Sequence, residues 1–177
     1  MNNRKCWQVA GALFSLVVGS LLHFVYDWSG QNTLVSYFSP VNESVWEHLK
    51  LLFVPIFFFT IIEYLAYGKE LEQFFPVKIV SMVIGMLFVV VSFYTYTGIM
   101  GDSFVPVDIA LFSIGILIAY IFSYRNLENV RFQSPIIKLV TGILLALLLL
   151  AFFFFTTSPP HLPIFQDPLT LTYGRTI

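Results

Sequence analysis

Apolar residues run along this chain in five long blocks separated by short polar breaks, at residues 7–26, 48–67, 77–96, 105–123 and 136–155. Each block has close to the roughly 20 residues that a helix needs to cross a hydrocarbon layer. A lone strand would leave its backbone groups unpaired in lipid, so each block is expected to be helical. The pattern predicts an all-α fold: a polytopic integral membrane helix bundle of five transmembrane helices, followed by an extended Pro-rich C-terminal tail over residues 157–177. No linker divides the chain, so residues 1–177 are expected to form a single transmembrane domain. Pro55 falls inside the second block. It should kink the helix and free a carbonyl one turn back, either to shape a cavity or simply to pack against a neighbour.

Composition agrees with lipid as the main solvent. The chain is 58% hydrophobic and 11% charged, with 20 Phe and a mean hydropathy of +0.83; soluble domains carry about 25% charged residues. A net charge of −1 gives no electrostatic reason to expect a nucleic-acid partner. Membrane lipid is the expected partner, with a lipid substrate as one option; oligomeric state is not legible. Cys6 is the only cysteine, so any metal site must be built from His and carboxylates. Arg4 and Lys5 before the first block resemble the start of a signal peptide. The block is long enough to span and lacks a small-x-small cleavage site, so it reads as a retained helix.

Seven of the nine basic residues, Arg4, Lys5, Lys69, Lys78, Arg125, Arg131 and Lys138, fall on one side of a five-span arrangement. Excess Lys and Arg marks the cytoplasmic side. The expected location is therefore a cell membrane, multi-pass, with the N-terminus cytoplasmic and the C-terminus extracytoplasmic.

All three histidines then fall near the extracytoplasmic face with carboxylates beside them, and ionisable groups at that depth are costly to place. His23 and Asp27 are four apart and share a helix face. They either share one metal or form a routine intrahelical pair, with Tyr26 and Trp28 as interfacial aromatics. The segment Val41-Asn42-Glu43-Ser44-Val45-Trp46-Glu47-His48-Leu49-Lys50 is the densest in polar groups. Asn42 is expected to cap the second helix, Glu43 and Glu47 to share a face, and Ser44 and His48 to share the next. Two carboxylates so close need a cation or a proton between them, and Lys50 at i,i+3 is the simplest partner for Glu47. In the tail, His161 and Asp167 lie among four prolines and several apolar side chains. The tail is expected to fold back over the end of the bundle. Asp108 is near enough to that face to join the cluster, whereas Glu63 lies alone near the cytoplasmic end.

Three His with one carboxylate suffice for zinc or another divalent ion. The expected metal ligands are His23, Asp27, His48, His161 and Asp167. Glu43 and Glu47 are the expected general-base candidates, supported by Asn42, Ser44, Trp46 and Tyr26. There is no His-Glu-x-x-His string.

The strings His23-Phe-x-Tyr26-x-Trp28, Val41-Asn-Glu-Ser-Val-Trp-Glu-His48 and His161-Leu-Pro-x-Phe-x-Asp167 resemble those of a family of small bacterial membrane proteins of unknown function. That resemblance implies a multi-span protein and transfers no activity. Asp27-Trp28, Asn32 and Glu43 are also similar to the acidic calcium-binding segment of the alkaline ceramidases, membrane hydrolases with a zinc site of three His and one Asp. That group has seven spans and a His-x-x-x-His pair, both absent here. Three functions stay open: a metal-dependent hydrolase of a lipid or membrane-partitioned substrate, a transporter or ion-binding membrane subunit, and a non-enzymatic assembly protein.

Overall fold

The protein, here a computed structural model, is described over residues 3–175; positions 1–2 and 176–177 of the expected single domain lie outside the described residues. Five helices are long and apolar enough to cross a membrane. They are α1 (Asn3–Trp28), α3 (Val45–Ala66), α4 (Phe74–Met100), α5 (Val105–Asn126) and α6 (Pro135–Thr157), with a single-turn helix α2 (Thr33–Ser36) between α1 and α3. Among the described residues there is no β-strand, only an isolated bridge between Gln166 and Tyr173.

The punctuation is chemical. Ser44 caps α3, its hydroxyl accepting from the Glu47 amide. Pro106 and Pro135 sit in the first turns of α5 and α6, where a missing amide costs nothing. Gly101 closes α4 in the left-handed region at φ 80°.

α3 is apolar all round and is the most enclosed helix, which suits a central position. It packs against α1 and α4, while α5 packs against α1 and α4, and α6 against α4. Leu49, Leu52, Phe53, Ile56 and Phe59 of α3 meet Met82 and Met86 of α4 and Ile116 and Tyr120 of α5 in the core. The outward face of α1 carries Val9, Leu13, Val17, Leu21 and Phe24, spaced three to four apart and all exposed. Such a stripe would promote aggregation in water; against lipid it is the solvated side.

Two crossings set the close approaches. Pro55 has no amide to donate, so the carbonyl of Leu51 is free of its helical partner within an unbroken α3. α1 lies against that carbonyl at Gly19, where an added Cβ would stand 2.4 Å from Leu51 O and 2.7 Å from the Phe112 ring. Gly85 of α4 and Gly115 of α5 form the second crossing. A Cβ on Gly115 would meet Val89 at 2.7 Å, and one on Gly85 would meet Gly115 O at 2.8 Å.

Each end of the bundle holds a buried ion pair. At the end where α3 begins, the Lys50 ammonium donates to Glu47 Oε2 at 2.6 Å, Thr156 Oγ1 at 2.6 Å and Ser36 O at 2.9 Å. At the opposite end Lys78 pairs with Glu63, and Gln8 Nε2 donates to Glu63 Oε1 at 2.5 Å. The Tyr67 hydroxyl also donates to Glu63, at 2.7 Å. Burial and then the neighbouring Glu63 push that hydroxyl above the ordinary phenol range, so it remains a donor. Glu63 is thus far from isolated: its partner comes from the next helix, a pairing fixed by helix packing and not by local spacing.

Candidate functional site

The site lies at the end of the bundle where α1 finishes and α3 begins. His23 projects from the last turns of α1, His48 from the first turn of α3, and Glu43 from the segment just ahead of the Ser44 cap. His23 Nε2 and His48 Nε2 are 3.3 Å apart. Glu43 Oε2 is 3.4 Å from His48 Nε2 and 3.8 Å from His23 Nε2. Three ligands bound tetrahedrally about 2.0–2.1 Å from one zinc ion would stand roughly 3.3–3.4 Å apart. The triangle therefore has nearly the size that such an ion requires. Among the described residues this is the only group of three or more His, Cys, Asp or Glu side chains whose ligand atoms lie within 4.8 Å of one another.

The support around the triangle suits ligation. His48 Nδ1 lies 3.0 Å from the carbonyl of Ser44, which can only accept. That contact places the ring proton on Nδ1 and leaves the Nε2 lone pair directed at the other two ligands. The three side chains are 30–41% exposed, so solvent reaches them.

The fold divides the other expected ligands. Asp27 is exposed on α1 and lies outside the triangle. His161 is exposed and stacks on Tyr173 with ring centroids 4.5 Å apart. Asp167 is buried, and its Oδ1 accepts from the amides of Leu169 at 2.8 Å and Thr170 at 3.2 Å. Its Oδ2 lies 3.5 Å from the Glu43 amide. Asp167 therefore organises the tail and steadies the backbone at Glu43.

The two glutamates separate for a local reason. Ser44, not Asn42, is the cap, so α3 starts at Val45 and Glu43 is not helical. Asn42 instead accepts from the Ser44 amide at 3.0 Å and donates to Gly174 O at 3.0 Å. Glu47 turns inward to Lys50 and accepts from the Val41 amide at 3.0 Å, with its side chain 2% exposed. This is the i,i+3 pair that the spacing suggested. Glu43 is left to face the histidines.

Trp46 packs on Phe152, Phe155 and Phe165, joining α3 to α6 and the tail. The Tyr26 hydroxyl accepts from Arg175 Nε at 3.0 Å, and Arg175 Nη1 donates to Thr33 at 2.7 Å. The tail thus folds back over the site end, as its apolar content suggested.

Asp108 of α5 completes the surroundings. It borders two clefts that also contact Glu43 and His48, one of about 240 Å³ between α3, α4 and α5 and one of about 290 Å³ between α1, α3 and α5. The Tyr96 hydroxyl donates to its carboxylate, and no basic side chain pairs with it among the described residues. The one sequence signal for Asp108 is a carboxylate two residues past Pro106, at the start of an apolar block.

Asp167→Ala removes the acceptor for two tail amides and the prop beneath Glu43. If the triangle holds Zn²⁺, the expected result is about tenfold weaker binding, the usual effect of losing support behind a ligand. Asp167→Asn, which keeps an acceptor oxygen, should stay within a few fold of wild type; calorimetric titration of the detergent-solubilised protein checks both.

No curated protein and no solved structure matches the chain, so the likeness to alkaline ceramidases rests on the quoted strings alone. A family of unknown function (DUF6512) matches residues 1–175, and the chain, with its five apolar helices and its His–Glu cluster, belongs to that family.

Proposed function

We propose that the protein is a metal-dependent membrane hydrolase. In this reading His23, Glu43 and His48 hold a divalent ion, zinc by ligand type, and the substrate is a lipid or another membrane-partitioned molecule. The observation that carries it is the size of the ligand triangle, with His48 Nε2 freed for ligation by the Ser44 carbonyl. Two His and one Glu leave a coordination position for water, the arrangement of catalytic zinc sites. These residues would hold the ion, and its chemistry there would be to bring the pKa of a bound water toward neutrality. Asp108, which borders both clefts together with His48, would be the group placed to accept a proton from that water and return it to the leaving group. The excess of Lys and Arg toward the other end of the five spans supports an extracytoplasmic site.

Both clefts are lined by Glu43, His48 and Asp108, which lie at one end of the bundle, and this favours a one-sided site over a path through the membrane.

Elemental analysis of purified protein tests the reading. Wild type, His161→Ala and Asp27→Asn are expected to retain stoichiometric metal, and His23→Ala and His48→Ala to lose at least nine-tenths of it. Unchanged metal content in His48→Ala would overturn the ligand assignment.

A further inference from the structure

We infer that the cleft between α3, α4 and α5 binds the hydrocarbon chain of a single-chain, medium-length amphiphile whose polar group sits against Glu43, His48 and Asp108. The inference rests on the metal-site reading for its polar end only. The shape of the cleft supplies the rest.

The cleft is polar at one end alone. Glu43, His48, Ser103 and Asp108 border its mouth, and below them the walls are Leu49, Leu52, Val89, Phe93, Leu111 and Phe112. An apolar slot with convergent polar groups at one end matches a molecule of the same polarity pattern. The tail supplies a roof through Pro168 and Leu169. Tail residues over the aqueous side disfavour loading from water and favour loading from the bilayer. The neighbouring cleft provides the route: it shares Glu43, His48, Asp108 and Phe112, and its rim residues Phe24 and Ile109 are 51% and 59% exposed on lipid-facing helices.

The floor sets the length. Gly115 lies seven residues below Asp108 on α5, roughly 10 Å along the axis at 1.5 Å per residue. There α4 and α5 approach so closely that a Cβ on Gly115 would collide with Val89 and crowd Leu52. One leaflet of hydrocarbon is about 15 Å deep. A chain that fills this cleft is therefore shorter than the leaflet.

The test is photolabelling in nanodiscs with two lysophosphatidylcholines, one octanoyl and one palmitoyl, each with a diazirine at the chain end. The octanoyl probe is expected to label Leu52, Val89 and Leu111 at least tenfold more than the palmitoyl probe does. Leu111→Trp, which fills the cleft, should abolish that labelling, whereas Ile121→Trp on the exposed face of the same helix should not. Equal labelling by both probes, labelling spread over lipid-facing leucines, or persistence in Leu111→Trp would overturn the inference. Metal content measured on the same samples separates the two ideas. Bound metal without cleft labelling defeats this inference alone, and cleft labelling without metal defeats the metal reading alone.

Discussion

Lys78→Met is expected to destabilise the protein by about 3–5 kcal/mol, the usual cost of removing one partner from a buried ion pair. Lys78 and Glu63 are both enclosed, at 0% exposure, where α3 meets α4. Removing the ammonium leaves a carboxylate in an apolar interior with only Gln8 and Tyr67 as donors. The double variant Glu63→Gln/Lys78→Met should recover most of the loss, because the amide keeps an acceptor for those donors and carries no charge. Chemical unfolding in mixed micelles measures both. If the double variant is no more stable than Lys78→Met, the pair is not the source of the effect, and loss of Lys78 packing against Phe74 and Tyr120 is the alternative. The site at the other end of the bundle gives a second readout: metal content of the double variant should equal that of wild type.

Gly19→Ala is expected to weaken metal binding by tenfold or more, although residue 19 touches no ligand. The new methyl would stand 2.4 Å from Leu51 O and 2.7 Å from Phe112, so α1 must move away from α3. His23 lies four residues further along α1, on the same face, and moves with it. The gap of 3.3 Å between His23 and His48 widens, and the triangle no longer has the size that a bound ion would require. Overpacking of this kind costs about 1–3 kcal/mol, so the variant should still fold. Gly142→Ala is the control, because nothing lies within 4 Å of an added Cβ there. It should leave both stability and metal content at the wild-type level. A Gly19→Ala protein with wild-type Zn²⁺ affinity would show that the α1–α3 spacing does not set the site.

Much of the architecture was legible because lipid solvation imposes a long, unambiguous apolar block on each helix. Local pairings were legible too: Glu47 and Lys50 are three apart on one helix, so their contact needs no knowledge of the fold. The convergence of His23 with His48 was also within reach, since both lie at the same end of adjacent spans. The role of Glu43 was harder to see. The pattern put the helix cap at Asn42 whereas the cap is Ser44, and moving the helix start by two residues takes Glu43 out of the helix, away from Glu47 and toward the histidines. The Glu63–Lys78 pair was hidden for a different reason. It joins two helices across a turn, so it depends on how those helices rotate against each other. The tail histidine misled because stacking on Tyr173 is a contact within the tail, invisible to any reading of charge and span.

The clasp around Glu43 has a consequence for timing during synthesis. Asp167, Gly174 and Arg175 reach back to Glu43, Asn42, Tyr26 and Thr33. They leave the ribosome only after α1–α6 have been made. The nascent polypeptide can therefore insert these five spans before the clasp around the cluster forms, and the clasp closes only as residues 167–175 emerge. A chain stalled before that point would sit in the bilayer as a folded but unfinished product.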